Sequence, residues 1–201
     1  MEREAGGVIN HHLEQMAQAI FVEMCSEGEN AALSDILDVC YGKDHKRLGD
    51  GKVPCYGSGG IMRYVDKALY NDESVLIPRK GSLNNVLYIN EPFWTVDTMF
   101  YTHMTRPNVA KFVYFTVRDL DLAGMNVGSA VPSMTTTVLN ALEIVIPNDA
   151  VLASFDETAS PMFLQIQANN AESARLAALR DTLLPRLMSG ELSVADLDAA
   201  K

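Results

Sequence analysis

Two short stretches hold the residue types with which this chain could do chemistry. Residues 53–67, VPCYGSGGIMRYVDK, set three glycines around a serine, with Tyr56 before them and Arg63 beyond. A phosphate-cradling loop of the nucleotide-hydrolase kind needs Gly-Lys-Ser/Thr opening a helix, and no such lysine follows. A nucleophile elbow needs Gly-x-Ser-x-Gly; Gly57-Ser58-Gly59 fails that spacing, and no histidine follows as a base in triad order. Asp66, Asp72 and Glu73 sit in polar, turn-like sequence where a solvated carboxylate is expected rather than an acid–base pair. What remains is a turn whose small residues let the backbone approach something closely. The second stretch, LIPRKGSLNN at 76–85, delivers Arg79 and Lys80 to a Gly-Ser turn followed by Asn84 and Asn85. Arginine can pair bidentately with guanine and asparagine with adenine, while a serine such as Ser82 can meet phosphate. Taken alone, the stretch fits either an ordinary solvated hairpin or a base-reading loop.

Other chemistries find little support. Cys25, Cys40 and Cys55 are odd in number and form no Cys-x-x-Cys pair, which fits a reducing cytoplasm and gives no disulfide framework or zinc site. His11, His12, His45 and His103 are scattered, so neither a metal nor a cofactor is expected. No apolar run approaches the roughly 18 residues of a membrane span, and the N-terminus has no signal-peptide pattern. The formal charge of −10 opposes nucleic-acid binding at first sight. The charge is uneven, however: residues 43–80 carry eight basic groups against five acidic ones, while the acids concentrate towards the ends. Such a local basic stretch is commonly no more than a solvated face.

The elements that must position these stretches read as helix, mixed middle, helix. Ile9, Leu13, Met16, Ile20 and Met24 recur at helical spacing, and SEGENAAL at 26–33 breaks the pattern. Ser160-Pro161 reads as an N-cap and first helical residue. From there Met162, Ile166, Asn169, Ser173, Leu176, Arg180, Leu183 and Leu187 alternate steps of four and three, with Leu179 and Leu184 alongside. Neither helix has enough heptads to stand alone, so the two are expected to pack on each other, on another chain, or on both. Between them SVLIP (74–78), NVLYI (85–89), PFWTV (92–96), TMFYT (98–102) and KFVYFTV (111–117) read as strands separated by turn signals, with Phe93 and Trp94 as core. TTTVLNAL reads as a short helix and EIVIP (143–147) as a last strand. The expected class is α+β, a mixed-sheet domain flanked by helices that pack as an antiparallel, coiled-coil-like spacer. Its expected parts are residues 1–29, 30–153 and 154–201.

In order and spacing, VPCYGSGGI, LIPRKGS and DTMFY resemble the target recognition domain of the specificity subunit of type I restriction–modification systems. VGSAVPSMTTTVLNALEIVIP resembles that domain's closing segment. LAALRDTLLPRLMSGEL and INHHLEQMAQAIFVEM are similar to the helical regions around it, so the resemblance covers about residues 9–194. It implies a subunit that selects a DNA sequence, performs no chemistry, and works in the cytoplasm with methyltransferase subunits and a translocating nuclease subunit. On this resemblance Lys43, Lys46 and Arg47 become phosphate contacts, and Tyr56, Ser58, Arg63, Arg79, Lys80, Ser82, Asn84 and Asn85 become candidates for touching the duplex. Full specificity subunits carry two recognition domains and two helical regions, whereas one recognition domain is visible here. A half-length form would pair as a homodimer through Ile166, Asn169, Ser173, Leu176, Leu179, Leu183 and Leu187, with the two polar residues fixing the register. The whole Met162–Leu187 seam is about 38 Å long at 1.5 Å per residue, close to the ~34–36 Å between half-sites one DNA turn apart. A dimeric scaffold or decoy that docks partner subunits without reading sequence is the competing expectation.

Overall fold

In the computed structural model, which describes residues 2–125 and 133–191, apolar alternation and turn residues organise a helix-flanked domain as the sequence suggests. The elements run α1 (Glu2–Met24), β1 (Glu29–Ala32), β2 (Leu37–Tyr41), β3 (Asp50–Gly57), β4 (Gly60–Val65), β5 (Ser74–Pro78), β6 (Leu87–Ile89), β7 (Trp94–Thr95), β8 (Met99–Met104), α2 (Ala110–Arg118), α3 (Thr136–Asn140), β9 (Glu143–Ile146) and α4 (Asp149–Met188). Residues 127–132 of the closing segment and 192–194 of the tail, both covered by the resemblance, lie outside the described residues. The fold divides into two compact units, Gln18–Thr158 and the helix ends Met1–Ala17 with Ala159–Lys201.

Three small sheets build the first unit. One has the order β2-β8-β5-β6, one the order β4-β3-β7, and β1 pairs with β9. β3 and β7 run parallel while the other pairs are antiparallel, so the β4-β3-β7 sheet is mixed and the other two are antiparallel. All five residues of β5 are buried, which is why SVLIP reads as a continuous apolar run rather than an alternation. The β5–β8 backbone ladder covers Ile77↔Phe100 and Pro78↔Met99. Beyond it hydroxyls take over: Ser74 Oγ donates to the Thr102 carbonyl at 2.8 Å, and the Val75 N–H donates to Thr102 Oγ1 at 2.8 Å. These buried polar groups are therefore paired, as burial requires.

Two sequence expectations are corrected. KFVYFTV is not a strand but most of helix α2, with Ala110–Phe115 and Val117 buried. An apolar run of this length, buried all round, is compatible with either element, and here burial decides. Phe112 and Phe115 pack on Phe21 of α1, at ring separations of 5.8 and 5.4 Å, and Phe155 of α4 meets the same ring at 5.9 Å. Second, α4 starts at Asp149 rather than at Ser160-Pro161. Asn148 caps it, its Oδ1 accepting the Val151 N–H at 3.0 Å, and Asp149 complements the helix dipole. Leu152, Phe155 and Ala159 carry one buried stripe straight towards Pro161, so packing holds the helix through a residue that locally signals a start.

α1 and α4 run antiparallel: Phe21 meets Phe155, and Asn10 meets Asn169 and Asn170. Asn10 accepts from Asn169 Nδ2 at 2.7 Å and donates to Asn170 Oδ1 at 2.8 Å, while Gln165 Nε2 donates to Asn169 Oδ1 at 2.8 Å. Of the expected α1 stripe, Leu13, Ile20 and Met24 are half-buried while Ile9 and Met16 are exposed, and Ala17 beside them is buried.

Candidate nucleic-acid interface

The glycine stretch is a β-hairpin. β3 and β4 close at Gly57↔Gly60 and leave Ser58-Gly59 as the two-residue turn, with Gly60 at φ 107°, a conformation that favours glycine. Gly57 admits a close approach, because a Cβ there would lie 2.6 Å from Met62 Sδ. Tyr56 is corrected. Its ring is in the core with Leu76, Ile89, Phe93 and Met99 and not on the surface, and burial pushes its hydroxyl's pKa up.

The turn is clasped by the second stretch. The Ser58 carbonyl accepts Asn85 Nδ2 at 2.9 Å, and Ser58 Oγ lies 3.1 Å from where a Cβ on Gly81 would stand. Gly81, at φ 86°, makes the loop turn tightly enough for this. Thr98 joins both sides: its Oγ1 accepts the Ser58 N–H at 3.3 Å, and its carbonyl accepts the N–H groups of Arg79 at 2.8 Å and Lys80 at 3.3 Å. Two stretches some twenty residues apart in sequence thus form one surface.

On that surface Arg79 is held before any ligand arrives. Its guanidinium donates to the Asp97 carbonyl at 3.1 Å and lies 5.2 Å from the Tyr41 ring centre. Lys80 Nζ stands 3.9 Å from Asp97, and both groups are largely in water, where such a pair adds little. Ser82 and Asn84 are exposed; Asn85 is half-buried in the clasp. Lys43, Lys46 and Arg47 follow Tyr41 in a loop anchored through its backbone. The Lys43 N–H donates to Thr95 O at 2.8 Å, and its carbonyl accepts the Trp94 indole N–H at 2.9 Å. All three side chains are exposed, and none has an ion-pair partner among the described residues. Arg63 is a strut at the far end of the hairpin, donating to Asp50 Oδ1 at 2.8 Å and to the Leu48 carbonyl at 3.2 Å.

Sequence reasoning had not singled out Tyr41, Asp97 or Thr98. Tyr41 carries no pattern of its own, but Asp97 and Thr98 open DTMFY, the third element of the resemblance.

The remaining polar clusters are paired. Lys111, taken with its neighbours for strand, is buried, with Nζ 3.0 Å from Glu73 Oε1 and 2.9 Å from Asp156 Oδ1. Tyr88 donates to the same Glu73 oxygen, and burial pushes the Tyr88 pKa up. Glu73 is therefore no free turn carboxylate, contrary to expectation. A cleft of about 410 Å³ opens at the Met104 end of β8, away from Thr98. In it Arg106 is paired with Asp149, and His103 with Asp38 at 3.4 Å. Among the described residues no group of three or more His, Cys, Asp or Glu could hold a metal. No described helix is long and apolar enough to cross a membrane.

The α+β domain thus carries two clasped loops beside exposed cations. The family model for the type I restriction modification DNA specificity domain matches residues 26–155, and the chain belongs to that family. It is 24% identical over 142 residues to the type I restriction enzyme HindI specificity subunit of Haemophilus influenzae, covering 70% of this chain and 26% of that protein. It is 27% identical over 135 residues to the MjaIX specificity subunit of Methanocaldococcus jannaschii, covering 64% and 31%. The crystal structure of a type I restriction–modification S subunit from M. genitalium superposes with a TM-score of 0.72 at 16% identity, covering 92% of this chain and 56% of that one. The HsdS subunit from Thermoanaerobacter tengcongensis gives 0.53 at 13% identity, covering 94% and 54%. The chain thus spans less than a third of these curated relatives and about half of the solved ones.

Proposed function

We propose that this chain selects a sequence in duplex DNA on behalf of methyltransferase subunits and a translocating nuclease subunit, in the cytoplasm, without catalysing a reaction itself. Family membership supports the DNA, and one observation carries the placement: the clasp of Ser58, Asn85 and Thr98 brings the glycine turn and the Arg79–Asn85 loop onto one surface. Arg79, fixed by Asp97 and Tyr41, is the base-reading candidate. Lys80, Ser82, Asn84 and Asn85 stand beside it. Lys43, Lys46 and Arg47 serve as phosphate contacts, since exposed cations with no ion-pair partner among the described residues can meet phosphate at little cost to the fold. Ser58 is available through the turn, and Arg63 supports the hairpin from behind.

The helices act as spacer and docking surface. Leu176, Leu179, Leu184 and Met188 are 44%, 46%, 51% and 82% exposed, an apolar stripe suited to a second copy. Ile166, Leu183 and Leu187 are half-buried along the same helix, and Ser173 is exposed. Asn169 is already satisfied by Asn10 and Gln165, so Ser173 is the free polar residue left to set a dimer register.

Selection of bound duplexes from a random pool, followed by sequencing, tests the reading. Wild type should enrich one motif. Arg79→Ala should lose about 1–3 kcal/mol on that motif and relax discrimination, while Lys46→Ala should weaken all sequences alike and flatten the salt dependence. Enrichment of no motif, with or without methyltransferase subunits, refutes sequence reading by this chain.

A further inference from the structure

The function above leaves one feature of the hairpin unexplained. Ile61, Met62 and Tyr64 of β4 are 50%, 56% and 49% exposed, three large apolar side chains on an edge strand. The register shows how they come to be there. Cys55 pairs with Arg63 and Tyr56 with Ile61, so Met62 is one residue too many and β4 bulges at that point. A bulge breaks the in–out alternation and re-aims a side chain, and such bulges cluster at sheet edges and functional sites. Met62 lies over the bare backbone of Gly57, at the root of the Ser58-Gly59 turn that Asn85 and Gly81 clasp. Apolar tip and cationic loop are therefore neighbours.

We infer that the exposed β4 edge of the hairpin faces the major groove and that Ile61 and Met62 read thymine by contact with its C5-methyl group. The inference rests on the DNA-reading function proposed above. β3 is covered on its other side by β7, so it is the β4 edge that is free to meet a groove; thymine is the base that presents a methyl group in the major groove, which apolar side chains recognise. Arg79 and Lys80, on the adjoining loop, supply the positive charge that a duplex edge requires of an otherwise apolar tip. Exposure of Ile61 and Met62 is then the condition for their use, since side chains packed on their own domain could not reach a base.

The test changes the DNA rather than the protein. In the motif enriched by the full chain, each thymine is replaced in turn by deoxyuridine, which removes the methyl group and leaves the hydrogen-bonding edge intact. At one or two positions wild-type affinity should fall about fourfold, the cost of exposing one buried methyl-sized group. Ile61→Ala and Met62→Gln should bind the thymine duplex more weakly and lose that uracil penalty. Uracil tolerated at every position, a penalty that survives in both variants, or an enriched motif without an A·T pair overturns the inference while DNA reading stands. Variants that bind DNA as wild type does but no longer hold methyltransferase subunits overturn it as well, by making the tip a protein contact. Enrichment of no motif removes the DNA-reading function first and the β4 edge's role with it.

Discussion

Replacing Lys111 should unfasten the domain. Its ammonium group is 4% exposed and bridges two carboxylates that are themselves only partly in water, Glu73 at 33% and Asp156 at 19%. Lys111→Ala leaves both anions facing a pocket that no longer holds a cation. Removing one partner of a buried pair costs about 3–5 kcal/mol. Because water still reaches both carboxylates, the lower end applies, about 3 kcal/mol. For a chain of this size that is a fall in Tm of about 6–12 °C. Differential scanning calorimetry or urea unfolding followed by circular dichroism reads it directly. The cause is separable from lost packing. Lys111→Met keeps the aliphatic stem and should lose nearly as much, whereas adding Glu73→Gln and Asp156→Asn to Lys111→Met should recover most of it, since the carboxylates are then neutral. A drop below about 2 °C for Lys111→Ala, or no recovery in the triple variant, would refute the argument that uncompensated charge sets the cost.

Asn85→Ala removes the hydrogen bond that ties Ser58 to the basic loop. Stability should fall by only about 1 kcal/mol, while competition between preferred and scrambled duplexes should show discrimination falling more than total affinity. The Cys25 thiol is buried, and burial lifts its pKa from 9.0 to about 11. The folded thiol keeps its proton where the unfolded one has lost it, so stability present below pH 9 drains away as the pH rises towards 11. Urea midpoints should show wild type losing about 2 kcal/mol more than Cys25→Ala over that window. Leu179→Glu, at an exposed site on α4, should leave the fold intact and turn a dimer into a monomer by mass measurement in solution; wild type that is monomeric at micromolar concentration would refute the dimer.

How far the sequence carried the fold depended on whether each signal was local. β5, β8 and β9 were legible because a short apolar run ends at a proline or a turn residue. α2 was not: Phe112, Val113, Tyr114, Phe115 and Val117 are β-branched or aromatic, and propensity alone makes them a strand. What overrules propensity is contact with Phe21 and Phe155, from opposite ends of the chain. Lys111 at the head of the run was a clue of the same kind, because a charge can be buried there only beside acids that the fold brings from residues 73 and 156. Ser160-Pro161 misled in the other direction. It has the composition of a helix start, yet Asn148-Asp149 has it too, and only the buried stripe from Leu152 to Ala159 decides between them.

The candidate site was legible in halves. The glycine stretch and the Arg79–Asn85 loop each drew attention through residue type, but nothing in either says that they meet. Tyr56 was misplaced for a related reason: a tyrosine beside a glycine turn looks like an exposed platform until strand pairing sets which face it takes. Met62 went unremarked because a bulge is a property of two strands in register, and one strand read alone cannot show it. The residue that joins the halves is Thr98. It presents two acceptors from one short side chain and its own carbonyl, Oγ1 to the Ser58 N–H and the carbonyl to Arg79 and Lys80. A side chain without the hydroxyl would leave the Ser58 N–H without this partner, and a bulky one would press on Ser58 or Gly57, whose added Cβ would lie 3.5 Å from Thr98 Oγ1. The demand for a small hydroxyl at the start of β8 comes from two loops far away in sequence, so it becomes visible only where those loops are seen to touch.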